Sequence, residues 1–340
     1  MRSGILAGGN WIIDQVKLID TWPPQDSLAS ISSESASNGG GPYNVLKDLA
    51  RMGAPFPLSA AGLVGDDDRG RAIAQDCKKS GIDTAQLKAT RQAPTSYTDV
   101  MTVRGTGRRT FFHQRGANAL LGPKDFDFTN TRARIFHLGY LLLLDRLDCP
   151  GPDGRPAAAE VLARASKEGI ATSLDCVSEA SERFKAIATP VLPEVDYFFA
   201  NDFEAERITG ITLSHGGVVE PGAVERAAQA LVALGVRRQV FIHFPEGAYA
   251  RSASGAGAWQ PSVRVPPGEI AGAAGAGDAF AAGVLYGLHE GWEPQRGLKL
   301  GACAAAASLS HPTCSEGVGT LAQCLALGER LGFRPLPMTD

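Results

Sequence analysis

The run Gly275-Ala276-Gly277-Asp278 closes a stretch of small residues that begins at Gly272. Small residues let the main chain approach a ligand, and the first amides of a helix have no internal partner, so a glycine turn feeding a helix cradles an anion. Phe280, Val284, Leu285 and Leu288 recur on one helical face, which starts that helix near Gly277. A carboxylate beside an anion cradle needs a task, because like charges at close range repel. Asp278 suits one: it takes the proton of an attacking hydroxyl, while the amides of Gly275, Ala276 and Gly277 and a magnesium ion stabilise a phosphoryl group in transfer. The competing reading is an N-cap aspartate on a buried helix.

Other residues have polar chemistry in suggestive places. In Asn38-Gly39-Gly40-Gly41-Pro42-Tyr43-Asn44, Pro42 suits a first helical turn, and an asparagine amide with glycine amides offers donors and acceptors for reading a polyol without charge. Asp14 follows an apolar strand pattern, where a carboxylate can accept from two adjacent hydroxyls or simply mark a strand exit. Asn201 and Glu204, three apart after Phe198-Phe199-Ala200, share the first turn of a helix; the same spacing makes a capping box.

The elements that position these residues follow a βα rhythm. Apolar runs at Gly4–Ala7, Leu58–Leu63, Ile135–Leu138, Ala171–Leu174, Tyr197–Ala200 and Val240–Phe244 read as core strands, and Gly70–Ser80, Ala157–Glu168 and Ala223–Leu234 as helices. Gly319–Leu331 reads as a closing helix, with Pro335 and Pro337 in a trailing coil. Two segments break the rhythm, about 14–37 and 95–115. Tyr97 to Val103 alternates, and Arg104-Gly105-Thr106-Gly107-Arg108 turns it toward Thr110-Phe111-Phe112, as in a small sheet outside the core. That sheet is either a decorated edge or a lid over a substrate.

The chain has 340 residues and a net charge of −3, which leaves no electrostatic footprint for nucleic acid. Its six cysteines are scattered, without zinc-ligand spacing, as in a reduced, cytoplasmic protein. No secretory leader and no stretch of 18 uninterrupted apolar residues stands out, so no membrane partner is expected. No G-x-G-x-x-G follows the first strand, which argues against a dinucleotide oxidoreductase.

Gly275-Ala276-Gly277-Asp278-Ala279-Phe280 with Gly283, and the glycine pair before Asn44, resemble the two signatures of the ribokinase or PfkB family of carbohydrate kinases. The resemblance covers nearly the whole chain. It implies a single α/β domain over 1–340, a three-layer sandwich with a mostly parallel sheet and a small β lid, phosphorylating a hydroxyl of a sugar-like substrate with ATP and Mg²⁺. It further implies Asp278 as the base, and Asp14, Gly39, Gly40, Asn44 and Asn118 at the substrate. On the nucleotide side it implies Asn201, Glu204, His243, Gly247, Gly277 and Cys303, with Glu204 holding Mg²⁺ through water, and pairing of two copies through the lid. Gly272 and Ala273 replace the family's Asp-Thr, which puts K⁺ activation in doubt, and His243 and Pro245 depart from its nucleotide loop. A nucleoside kinase of the same fold, or a sugar-binding regulator without turnover, shares these motifs.

Overall fold

The computed structural model describes residues 2–179 and 181–335; Pro337 lies outside them. The strands are β1 (Ile5–Gly9), β2 (Ile12–Ile19), β3 (Ile31–Gly39), β4 (Leu58–Gly65), β5 (Asp83–Thr90), β6 (Tyr97–Val103), β7 (Arg109–Gln114), β8 (Ile135–Leu141), β9 (Ala171–Cys176), β10 (Tyr197–Asn201), β11 (Ser214–His215), β12 (Val218–Val219), β13 (Gln239–Phe244), β14 (Gly247–Ser252) and β15 (Gly257–Pro261). The helices are α1 (Gly41–Arg51), α2 (Asp68–Lys79), α3 (Asp145–Asp148), α4 (Ala157–Lys167), α5 (Phe184–Ala188), α6 (Asp202–Thr209), α7 (Pro221–Ala233), α8 (Ala276–Glu290), α9 (Pro294–Ser308) and α10 (Leu321–Leu331).

The main sheet runs β15-β14-β13-β10-β9-β8-β1-β4-β5. It is parallel from β13 to β5 and antiparallel only where β14 and β15 extend one edge. Successive side chains on a strand point to opposite faces, and here both faces are covered. Leu6, Phe198, Ala200, Val240 and Ile242 enter a core with α4 and α7, whereas Ile5, Ala7, Phe199 and Phe241 enter a second core with α1, α8 and α9. Two buried faces explain why these strands read as continuous apolar runs. The result is a three-layer sandwich. The edge strands β5 and β15 are absent from the sequence expectation, as is β14 beside β15; β5 carries polar residues at an edge, as in Asp83-Thr84-Ala85-Gln86.

A second sheet, ordered β3-β2-β6-β7, occupies the two segments that broke the rhythm. Only Asn10 and Trp11 separate β1 in the main sheet from β2 in the small one, and β3 runs through Gly40 directly into α1. The outer strands leave Ile31, Phe111 and Phe112 exposed, with Trp22 and Leu28 beside them; the rings of Trp22 and Phe112 stack at 6.1 Å.

Candidate active site

The first bond within α8 runs from the amide of Ala279 to the carbonyl of Gly275, at 2.9 Å. The amides of Gly277 and Asp278 have no acceptor among the described residues, and that of Ala276 reaches only the Ala273 carbonyl, at 3.4 Å. Gly275 has φ 80°, a left-handed conformation that favours glycine, and a methyl group there would meet Cys314 at 2.6 Å. The turn therefore presents free amides at a helix N-terminus, the equipment of an anion site.

Asp278 is buried at the start of this helix. Its Oδ2 accepts from Asn44 Nδ2 at 2.8 Å, and Tyr140 Oη is 2.6 Å from each carboxylate oxygen. Burial pushes its pKa up to about 6, with the bonds from Tyr140 and Asn44 pulling the other way. Its side chain makes no capping bond, so the competing N-cap reading does not describe it. Asn44 stands one turn into α1, and its buried Oδ1 has no hydrogen-bond partner among the described residues.

Asp14 and Gly39 are brought together by the pairing of β2 with β3. A methyl group on Gly39 would lie 2.2 Å from Asp14 Oδ2, and one on Gly40 would lie 2.1 Å from the Asn10 carbonyl. The absence of side chains is what lets the Asp14 carboxylate and the entry to α1 fit. Burial, then the charge of Asp278, raises the Asp14 pKa to about 7. Asn118, in contrast, spends its amide on the main chain of Trp11, accepting at 3.1 Å and donating at 3.2 Å. It clamps the β1–β2 connection, closer to the role of an asparagine fixing a turn than to a substrate contact.

Asn201 and Glu204 form the reciprocal capping box of α6, with both bonds at 2.9 Å. Ser178 links them, donating to Glu204 Oε1 at 2.8 Å and accepting from Asn201 Nδ2 at 2.7 Å. Burial raises the Glu204 pKa to about 7, and Asp278 is among the charges that add to this. Asp175 on β9 is also held well above the carboxylate range by burial, then by Glu204 and Asp278. The charges of Glu204 and Asp278 thus act on Asp175, and that of Asp278 on Glu204, while no group of three or more His, Cys, Asp or Glu among the described residues is placed to hold a metal ion directly.

Three nucleotide-side expectations take a different form. The His243 ring lies under the glycine turn, with Cε1 3.2 Å from where a methyl on Gly277 would stand, and burial lowers its pKa to about 4. At neutral pH it is an uncharged imidazole and gives a phosphate no cation. Gly247 is small because β15 crosses it: a methyl there would meet the Gln260 carbonyl at 2.6 Å. Cys303 is fully buried with its thiol against Gly328 of α10, not open to a flat ring. The small residues around it serve helix packing, since a methyl on Gly283 of α8 would lie 2.6 Å from the Gly301 Cα of α9.

Sequence patterns missed several site residues. Asn10 Oδ1 accepts from the amides of Gly41 at 3.3 Å and Tyr140 at 2.9 Å, tying α1 to β8. Asp48, one turn beyond Asn44, is buried without a hydrogen-bond partner among the described residues, and burial, then Asp278, raises its pKa far above the usual range. Cys314 faces Asp14, Asp278 and Asp48, and burial pushes its thiol up strongly. Only Asp48 left a sequence signal, as a charge four residues after the asparagine.

A model described as the pfkB family of carbohydrate kinases matches residues 9–320. The 5-dehydro-2-deoxygluconokinase of Shouchella clausii is 25% identical over 303 residues, 86% of each chain. The ATP-dependent ribose-1-phosphate kinase of Halopiger xanaduensis is 27% identical over 309 residues, 88% of this chain and 90% of its own. The solved ribokinase of Arabidopsis thaliana, complexed with ribose and ATP, superposes with a TM-score of 0.77 at 20% identity, covering 96% of this chain and 99% of its own. With its amide turn, buried aspartate and a family match spanning most of its length, this chain belongs to the pfkB family of carbohydrate kinases.

Proposed function

We propose that this ATP-dependent sugar kinase uses Asp278 as general base toward one hydroxyl of a neutral sugar, with Asp14, Gly39 and Asn44 reading neighbouring hydroxyls. The observation that carries this is the joining of a buried carboxylate, the asparagine bonded to it and free helix amides in one place. Asp278 takes the hydroxyl proton as that oxygen attacks the γ-phosphorus of ATP, the bond from that phosphorus to the β,γ-bridging oxygen breaks and ADP leaves, while the free amide of Gly277 and the weakly engaged one of Ala276 neutralise the developing charge. Bound Mg²⁺, held through water by Glu204 and Asp175, supplies charge neutralisation on the phosphates. The converging carboxylates meet no bonded lysine or arginine among the described residues, which favours a neutral acceptor over a sugar acid. The small sheet acts as the lid of a single kinase domain, excluding water as a competing acceptor.

K⁺ activation is not part of this reading. A side chain at 272 would meet the guanidinium Nη2 of Arg109 at 3.0 Å, so a cation borne by the chain already stands beside the position where many relatives carry the cation-binding aspartate. Equal rates in Na⁺ and K⁺ buffers are expected; strong K⁺ activation would overturn this point. For the central reading the test is Asp278→Asn. Turnover should fall roughly 10²-fold or more, with ATP affinity and thermal stability nearly unchanged; retained turnover would refute the assignment.

A further inference from the structure

Tyr140, on β8, is assigned no role by the motifs that identify the site. We propose that its hydroxyl holds the place on Asp278 that the acceptor hydroxyl takes, so that the sugar reaches the base by displacing Tyr140. This rests on the reading of Asp278 as the base.

The argument is one of hydrogen-bond capacity. A carboxylate accepts a limited number of bonds in fixed directions. Asn44 engages Oδ2 at 2.8 Å, and the Tyr140 hydroxyl lies 2.6 Å from both oxygens. One phenol proton shared between two oxygens covers the space between them, where a sugar hydroxyl about to lose its proton would also lie. The ring is kept there by its surroundings. Its edge lies along the first residue of α1, where a methyl on Gly41 would be 2.9 Å from Cε1, and its amide is held by Asn10 Oδ1 at 2.9 Å. Tyr140 thus satisfies a buried carboxylate that would otherwise lose a hydrogen-bond partner.

The groups around Asp278 fix the sign of the expected effect. They are Asp14 from β2, Asn44 and Asp48 from α1, Asp175 from β9, Glu204 from α6 and Cys314 after α9, with uncharged His243 beneath Gly277. None is cationic at neutral pH, so the Tyr140 and Asn44 bonds are what hold the carboxylate form against burial. Loss of the phenol hydroxyl raises the pKa of the base in the free enzyme.

Tyr140→Phe keeps the ring and its packing and removes only the hydroxyl. At pH 8.5, above the acid limb, KM for the sugar should fall roughly threefold or more with kcat within about twofold. The acid limb of kcat/KM, which reports the free enzyme, should move up by about one pH unit, while that of kcat stays in place because the sugar has displaced Tyr140 in both proteins. Unchanged KM and limbs would show that the hydroxyl is idle; a shifted kcat limb with a depressed kcat would show that Tyr140 stays on the base during turnover. Either overturns the proposal. A second readout needs no turnover: the ¹³C carboxyl resonance of Asp278 in the ligand-free protein, identified by its loss in Asp278→Asn, should titrate higher in Tyr140→Phe. An unmoved titration refutes the contact itself, whereas Asp278→Asn with full activity refutes only the role of the base.

Discussion

Two adjacent glycines make opposite predictions because their neighbours differ. At Gly39 the obstructing atom is the end of a side chain, Asp14 Oδ2 at 2.2 Å, and the backbone carries no positive φ. Gly39→Ala should therefore displace Asp14, raise KM for the sugar about tenfold and leave the melting temperature nearly unchanged. At Gly40 the obstruction is the Asn10 carbonyl at 2.1 Å, and φ is 96°. Gly40→Ala should cost about 1–3 kcal/mol in stability, read by chemical denaturation. Asp278 and Asn44 were legible in the sequence, 234 positions apart, because each belongs to a glycine turn entering a helix. Tyr140 was not legible: in Gly139-Tyr140-Leu141-Leu142 it reads as another apolar strand residue, and nothing in its spacing says that its hydroxyl meets Asp278. Asn10 was hidden for a similar reason, as a polar residue in a strand turn.

At the scale of elements, α8 and α9 meet across paired glycines. Gly283 faces Gly301, and a methyl on Gly287 would stand 2.9 Å from the Gly297 Cα. Gly283→Leu should destabilise the protein by about 3 kcal/mol and reduce ATP affinity, because α8 carries the amide turn; a melting temperature unchanged by the substitution would contradict the seam. The same glycines show why Cys303 was expected on the nucleotide side. A run of small residues is equally the signature of a ring-sized gap and of two backbones in contact, and sequence does not separate them. The core strands were legible because burial on both faces makes them continuously apolar, whereas the short antiparallel strands β14 and β15 were not.

The molecule as a whole carries an unusual burden of buried carboxylates. Asp14 and Glu204 have pKa values of about 7, Asp278 of about 6, and burial also holds Asp48 and Asp175 well above the usual carboxylate range, so all five lie above their unfolded values. The folded state then binds more protons than the unfolded one at neutral pH, so stability rises as pH falls from about 8 through the folded pKa values of about 7 and 6, by up to about 1.4 kcal/mol per pH unit for each fully differential proton. Below about pH 6.5 the buried histidines flatten this rise without reversing it: His113, His137 and His243, with pKa values of about 4, 3 and 4 in the fold, must stay neutral there, but the raised carboxylates outnumber them. Thermal melts between pH 5 and 9 should therefore show higher stability at pH 6 than at pH 8, and a monotonic rise with pH would contradict it. Added Mg²⁺ should stabilise most at the alkaline end. The fold class was legible from the βα rhythm, but this charge balance was not, because a buried carboxylate and a solvated one are the same letter. The small sheet has its own consequence. It joins the main sheet through two residues at one end and is fused to α1 at the other, and it and its β2–β3 connection expose Trp22, Leu28, Ile31, Phe111 and Phe112. If two copies meet there, as the family resemblance implies, Asp14 and Gly39 ride on a part that the partner helps to hold. Association and sugar affinity are then one equilibrium seen twice: dilution should raise KM, and Phe111→Ser should raise it at every concentration while lowering the sedimentation coefficient.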